Sequence, residues 1–177
     1  MKAKPSAASG TSRRAALARN PRTQPKQAVK VKTQALPLPE AIVIRVASES
    51  DFPAIARLQQ QCPDAAQWPL GDYSGCNTFL ALLEKTPAGF CAWRQTAPDE
   101  AELLNLGVAP AFRRRGVARA LLEALRNTAS GALFLEVAEN NHGAIALYTA
   151  AGWTPAGYRP GYYHHGTVNA VVMKKGS

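Results

Sequence analysis

The stretch Glu102 to Asn127 limits the fold of this chain more than any other. Leu103 to Val108 is an apolar run that reads as a buried strand. Ala109-Pro110-Ala111 breaks it. Val117, Leu121, Leu122 and Leu125 then recur at helical spacing and form one apolar face. Between strand and helix stands Arg113-Arg114-Arg115-Gly116-Val117-Ala118-Arg119. A helix start leaves its first backbone N–H groups without partners and carries the positive end of the helix dipole. A turn of this kind suits a phosphate or pyrophosphate. Gly116 puts no Cβ in the way, Ala118 stays small, and the arginines can pair with phosphate oxygens. A basic, solvated helix start is the alternative reading of these residues alone. The chain carries neither Gly-x-x-x-x-Gly-Lys-Ser/Thr nor Gly-x-Gly-x-x-Gly, so two other phosphate loops drop out.

A second strand and helix follow. Ala132 to Val137 reads as a strand. Asn140 or Asn141 suits a helix N-cap, His142 to Ala151 is helical in pattern, and Gly152 is a helix stop. The predicted order is strand 42–47, helix 51–62, a loop or short helix 63–75, and strands 77–84, 88–95 and 101–109. Helix 114–129, strand 131–137, helix 141–151 and strands 153–159 and 167–174 complete it. Asp51 suits the dipole at the start of the first helix. Pro87-Ala88-Gly89 and Ala97-Pro98-Asp99-Glu100 read as turns of a meander. Strands mixed with helices in this order predict a three-layer α/β/α or α+β domain around a mixed sheet. At 177 residues the chain can bury one good core and hardly two.

Arg113-x-x-Gly116-x-Ala118 after a strand resembles the acetyl-coenzyme-A signature of the GCN5-related N-acetyltransferase (GNAT) superfamily. The string Leu135-Glu136-Val137-x-x-x-Asn141-x-x-Ala144-Ile145-x-Leu147-Tyr148-x-x-x-Gly152-Trp153 resembles one branch closely. That branch is the bacterial ribosomal-protein N-terminal-alanine acetyltransferases. Tyr158-Arg159-x-x-Tyr162-Tyr163 and Asn169-Ala170-Val171-Val172-Met173 continue the likeness, which covers about residues 43 to 175. The resemblance implies the acetyltransferase fold of class α/β (α+β), in which two neighbouring parallel strands splay apart and acetyl-CoA enters the V. It implies that Leu106, Gly107 and Val108 line the acetyl and pantetheine segment. Arg113, Arg114, Arg115, Gly116, Val117, Ala118 and Arg119 would hold the pyrophosphate, and Asn141 would contact coenzyme A, cap its helix, or both. It implies no metal.

Acetyl transfer to an amine needs a base, because an amine is mostly ammonium at neutral pH. It also needs N–H groups for the charge that grows on the carbonyl oxygen, and a proton for the departing thiolate. The resemblance gives the base to Glu136 and the acid to Tyr148, facing one cleft. An exposed strand-end carboxylate and a core tyrosine are the alternatives for the two residues taken singly. By the same likeness the loop 63–73 and the hairpin from Arg159 to His165 hold the acceptor. Trp68, Tyr73, Tyr162 and Tyr163 would frame a peptide groove or form a hydrophobic cluster under the loops. Two departures from the branch stand out: a short junction Asn127-Thr128-Ala129-Ser130-Gly131, and Asn169 where an acidic residue is usual. The favoured acceptor is a protein N-terminal amine, such as the alanine of a ribosomal protein. The alternative is a small amine, a polyamine or a lysine side chain. An inactive RNA- or ribosome-binding module is a third class.

Charge is spread unevenly. Residues 1–39 hold nine Lys or Arg and no acid, while residues 40–177 hold twelve basic and twelve acidic residues. The net +9 therefore belongs to the N-terminal segment. That segment is rich in Ala, Ser, Thr and Pro, and predicts a flexible extension. Such a basic extension can attract nucleic acid, here a ribosome or its RNA, or be a solvated tail. An organellar transit peptide is the third reading of it; no apolar core marks a secretory signal. Cys62, Cys76 and Cys91 have no paired or metal-like spacing and point to buried thiols in a reducing, cytoplasmic setting. Cys91 is a nucleophile in principle and a packing residue by its apolar neighbours. His142, His164 and His165 form no metal set with them. No run of 18 apolar residues predicts a membrane span.

Overall fold

The computed structural model describes residues 41–176. The basic segment 1–39 lies outside them. Among the described residues seven strands make one sheet: β1 (Ile42–Val46), β2 (Asn77–Leu83), β3 (Thr86–Ala97), β4 (Glu100–Val108), β5 (Ala132–Ala138), β6 (Thr154–Tyr163) and β7 (Val168–Lys175). Their order across the sheet is β1-β2-β3-β4-β5-β7-β6. Every neighbouring pair is antiparallel except β4 with β5. Helices α1 (Phe52–Gln60), α2 (Val117–Thr128) and α3 (His142–Ala150) cover the two faces.

Alternation within the strands sorts side chains between two cores. In β3, Cys91 and Trp93 join the core under α2 and α3, while Phe90 and Ala92 join the core under α1. The helix pattern read from Val117, Leu121, Leu122 and Leu125 holds, since each is 4% exposed or less. On the other face Ile55 and Leu58 of α1 pack with Tyr73, Leu80 and Phe90. The layers are therefore helix, sheet, helix, with the sheet as the common wall.

Three boundaries differ from the sequence reading. The turn between β2 and β3 is Glu84-Lys85, and Pro87-Ala88-Gly89 lies inside β3. Both turn residues have left-handed φ (50° and 67°), a conformation that their side chains do not advertise in sequence. Helix α2 begins at Val117 rather than at residue 114, because Arg114 and Gly116 also have left-handed φ. Strand β6 runs on to Tyr163, so Tyr162 and Tyr163 belong to a strand end rather than to a loop.

The β4–β5 pair controls the site. Their register runs Glu100↔Ala132 to Leu103↔Leu135 and stops. Beyond it β4 continues along β3 to Val108, and β5 continues along β7 to Ala138. The two strands diverge there, as the resemblance implies. The divergence starts where β4 carries a bulge: Ala92 pairs with Asn105 and Trp93 with Leu103, which leaves Leu104 unmatched. A bulge bends its strand and changes the local twist. It also changes parity, because Ala101 and Leu103 face the α2 side and so do Leu106 and Val108.

Candidate active site

Leu104 to Val108 present one edge to β3 and the other to the gap. The gap-side N–H and C=O groups there have no strand partner, and a strand edge of that kind can pair with an extended ligand. Gly107 is tightly packed on the α1 side of the sheet. A Cβ on it would lie 2.6 Å from the Phe90 ring. Leu106, Gly107 and Val108 thus stand on the open edge, with Leu106 and Val108 packed on the α2 side.

The loop after β4 completes this end of the gap. Gly116, at φ 86°, is the N-cap of α2, and Ala120 N–H is the first to bond back, to Gly116 O at 3.0 Å. The N–H groups of Val117, Ala118 and Arg119 precede it and have no acceptor within the helix. Nothing nearer than 3.7 Å would meet a Cβ at Gly116, so its role is conformational. Arg113 differs from its expected part. Its Nε donates to Val108 O at 3.0 Å, and its guanidinium lies 4.0 Å from Asp64. The side chain staples the loop to the end of β4. Arg115 stacks on Phe112 at 5.7 Å.

On the α1 face of the sheet lies a pocket lined by Glu100 and Glu102 of β4, Glu136 of β5, Arg159 of β6 and Val172 of β7. Glu136 is 12% exposed and its Oε1 takes the Arg159 Nε at 2.6 Å. Burial raises the Glu102 carboxyl above its ordinary value, and the neighbouring Glu136 adds to this. Tyr163 donates its hydroxyl to the Glu136 backbone carbonyl at 3.1 Å, and burial pushes its pKa up to about 12. A contact with the Glu136 carboxylate raises the Tyr162 phenol. Glu102 and the Arg159–Glu136 pair escaped the sequence reading. Their one signal was a carboxylate in each of two apolar strands, and only the parallel register shows that both face one way.

Tyr148 approaches from the other side. It sits in the α2/α3 core, 8% exposed, against Trp153. Glu136 alternates with Leu135 and Val137, which belong to that core. The carboxylate and the phenol therefore occupy opposite faces of the sheet, and the diverging strands are what lies between them. Burial raises the Tyr148 pKa above its ordinary value, with Cys91 and Tyr163 adding to it. Among the described residues its hydroxyl has no hydrogen-bond partner. Cys91 is fully buried and its thiol is pushed up by burial, which makes it a packing residue. Asn141 caps α3, accepting from Ala144 N–H at 3.1 Å.

The four aromatic residues that the resemblance assigns to the acceptor separate. Tyr73 is 1% exposed and so offers no surface to a peptide. It donates to Gln59 at 2.6 Å, receives from Asn105 at 3.4 Å and supports Trp68, whose ring centroid is 5.3 Å away. Burial of its polar tip made this possible, and the sequence did not show the buried Gln59 and Asn105 that satisfy it. Trp68 is half-buried and lines a second pocket with Asp72, Cys76, Arg94 and Leu104. Arg94 links the two pockets, since its guanidinium lies 4.0 Å from Glu102. Tyr162 is 51% exposed and meets Tyr163 edge-on at 5.0 Å. Asn169 holds this hairpin. It donates to the Glu139 carboxylate through N–H and Nδ2 (3.3 and 3.1 Å), its C=O accepts from Glu139 N–H at 3.0 Å, and its Oδ1 accepts from Gly161 N–H at 3.0 Å.

Residues 44–153 match the family described as the Acetyltransferase (GNAT) family. The chain belongs to that family. It is 33% identical over 139 residues to the [ribosomal protein bS18]-alanine N-acetyltransferase of Salmonella typhimurium (strain LT2), covering 73% of this chain and 94% of that protein. It is 37% identical over 91 residues to the N-alpha-acetyltransferase RimI of Mycobacterium tuberculosis, covering 51% of this chain and 58% of that one. Among curated relatives the share of the relative's length that the chain spans thus varies, and falls to 41% in one case. The crystal structure of the ribosomal-protein-S18-alanine N-acetyltransferase from Escherichia coli superposes with a TM-score of 0.68 at 28% identity, over 77% of this chain and 94% of that one. Among the described residues no helix of this GNAT chain is long and apolar enough to cross a membrane.

Proposed function

We propose that this protein transfers the acetyl group of acetyl-CoA to the N-terminal amine of a protein, by direct attack within a ternary complex. One observation carries the reading. The gap between β4 and β5 has an open backbone edge on one strand, the free N–H groups of α2 at its end, a carboxylate on one face and a phenol on the other. The residues fit the cosubstrate. Leu106 to Val108 suit the amide-bearing arm, and the N–H groups of Val117, Ala118 and Arg119 suit the pyrophosphate. Arg114 and Arg119 remain candidates for phosphate charge, with Arg113 holding the loop in place.

When bound there, acetyl-CoA supplies an activated thioester carbonyl. The acceptor's ammonium enters on the α1 face and gives a proton to the Glu136 carboxylate, directly or through water. The freed amine forms the N–C bond, the C–S bond breaks, and the second proton on nitrogen passes to solvent water as the amide forms. N–H groups of the β4 edge face the oxygen on which charge grows. Tyr148, kept protonated by burial, gives its proton to the leaving sulfur. A ribosomal-protein alanine is the acceptor that the Salmonella and Escherichia relatives suggest.

The test is mass spectrometry of an amine panel with acetyl-CoA: peptides starting with Ala, Ser, Met or Gly, an N-blocked lysine peptide, and spermidine. Transfer to free N-termini, strongest for Ala, is expected. Labelling of lysine or spermidine alone would overturn the acceptor. Glu136→Gln and Tyr148→Phe are each expected to lower turnover by about 10²–10⁴-fold, with acetyl-CoA binding retained. Unchanged turnover in either variant removes that residue from the mechanism.

A further inference from the structure

The carboxylate read as the proton acceptor already has a cation on it. Arg159 Nε lies 2.6 Å from Glu136 Oε1, and Glu102 stands in the same pocket. A guanidinium so placed resembles, in charge and position, the ammonium that an acceptor brings. We infer that Arg159 is a stand-in for the acceptor's cation: it neutralises the Glu136 pocket at rest and is displaced by the incoming ammonium. The inference rests on the reading of Glu136 as the acceptor-side base.

Three observations support displacement over a fixed ion pair. The two partners differ in burial: the Arg159 side chain is 62% exposed and Glu136 is 12% exposed. The arginine therefore leaves toward solvent with little to break. A second partner is already in contact, since the Arg159 guanidinium lies 5.7 Å from the Tyr162 ring centroid while paired with Glu136, so leaving the carboxylate need not strand the cation. Finally, Arg159 is the last residue of β6 in regular register with β7 before the pairing shifts to Tyr163↔Val168. The side chain thus sits at the edge of an irregular segment, where a change of rotamer costs no ladder hydrogen bond. The pocket it leaves retains Glu100, Glu102 and Glu136, a set that favours a cationic amine over a neutral nucleophile.

The consequence is a cost in acceptor affinity that the wild-type protein carries. Glu136 is largely buried in this pair and only Arg159 is exposed, so the arginine competes with an incoming ammonium, and removing it should lower the acceptor KM by about three- to tenfold. The experiment is steady-state kinetics with an Ala-starting peptide and acetyl-CoA, alongside peptide binding by fluorescence anisotropy without turnover. Arg159→Gln should bind the peptide more tightly and show the lower acceptor KM, with kcat within about twofold and the acetyl-CoA KM unchanged. Arg159→Lys keeps a charge beside Glu136 and should stay near wild type. A fall in kcat with an unchanged or raised acceptor KM would overturn the inference and make Arg159 a residue that orients Glu136. Thermal melts of each variant guard against misfolding, and Arg159→Met carries the same expectation if the Gln variant folds poorly. Wild-type protein that transfers to nothing in the panel would count against the proposed function. The anisotropy comparison would still decide the displacement.

Discussion

Single residues in this site do work that their identities only half announce. Asn169 is one. Its amide donates to Glu139 and accepts from Gly161 N–H, so it needs a donor and an acceptor on one side chain. A carboxylate supplies only the second and would repel Glu139. Asn169→Asp is therefore expected to loosen the hairpin that carries Arg159, Tyr162 and Tyr163. The measurement is a pair of KM values: a rise of about threefold or more for the peptide and none for acetyl-CoA, since one to two hydrogen bonds of about 1 kcal/mol are lost. Equal change in both would mean a global effect. The departure at Asn169 was visible in the sequence, but its meaning was not, because Glu139 and Gly161 reach it through the fold. Glu136, Tyr148 and the Arg113-to-Ala118 loop could be read by spacing, as they lie within about 35 residues of one another. Tyr73 could not, since its partners Gln59 on α1 and Asn105 on β4 form no spaced motif with it and meet it only through the fold.

Elements explain where the reading of the chain held and where it failed. Helix α2 and strands β4 and β5 were legible because their apolar spacing is long and regular. The β2–β3 turn was not, because a proline and a glycine inside β3 looked like the punctuation that Glu84-Lys85 provides. The connection from β1 to α1 was anticipated only as an acid at a helix start. In the fold Asp51 takes the Ser48 N–H at 2.9 Å and a two-point pair from Arg45 at 2.6 and 2.7 Å. The Arg45 guanidinium, then Ser48, holds the carboxyl well below the usual carboxylate range. A pKa lowered by folding stabilises above the ordinary value, about 3.9, and loses that effect as pH falls toward the folded value. Asp51→Asn should thus cost about 1 kcal/mol near neutral pH. Denaturant melts should show the difference from wild type shrinking progressively below about pH 4. A difference that stays constant with pH would point to packing instead of charge.

At the scale of the molecule, charge and chemistry are separable. The basic excess lies in residues 1–39, and the gap, the loop and both pockets lie within residues 41–176. Deleting residues 1–39 should leave peptide acetylation within about twofold while removing any salt-sensitive retention on an RNA column. Loss of transfer on deletion would show that the segment serves the site. The three-layer plan was legible from element order, whereas the carboxylate-lined pocket was not, because four strands distant in sequence build it: β4, β5, β6 and β7. The bulge at Leu104 has one further consequence. It joins two stretches of β4 that are out of phase, so the strand behaves like a thread with a half-turn in it. Any comparison of this chain with a distant relative must keep that half-turn opposite its counterpart. An alignment that ignored the extra residue would swap inside for outside along Asn105 to Val108, and would match residues that never share a side of the sheet.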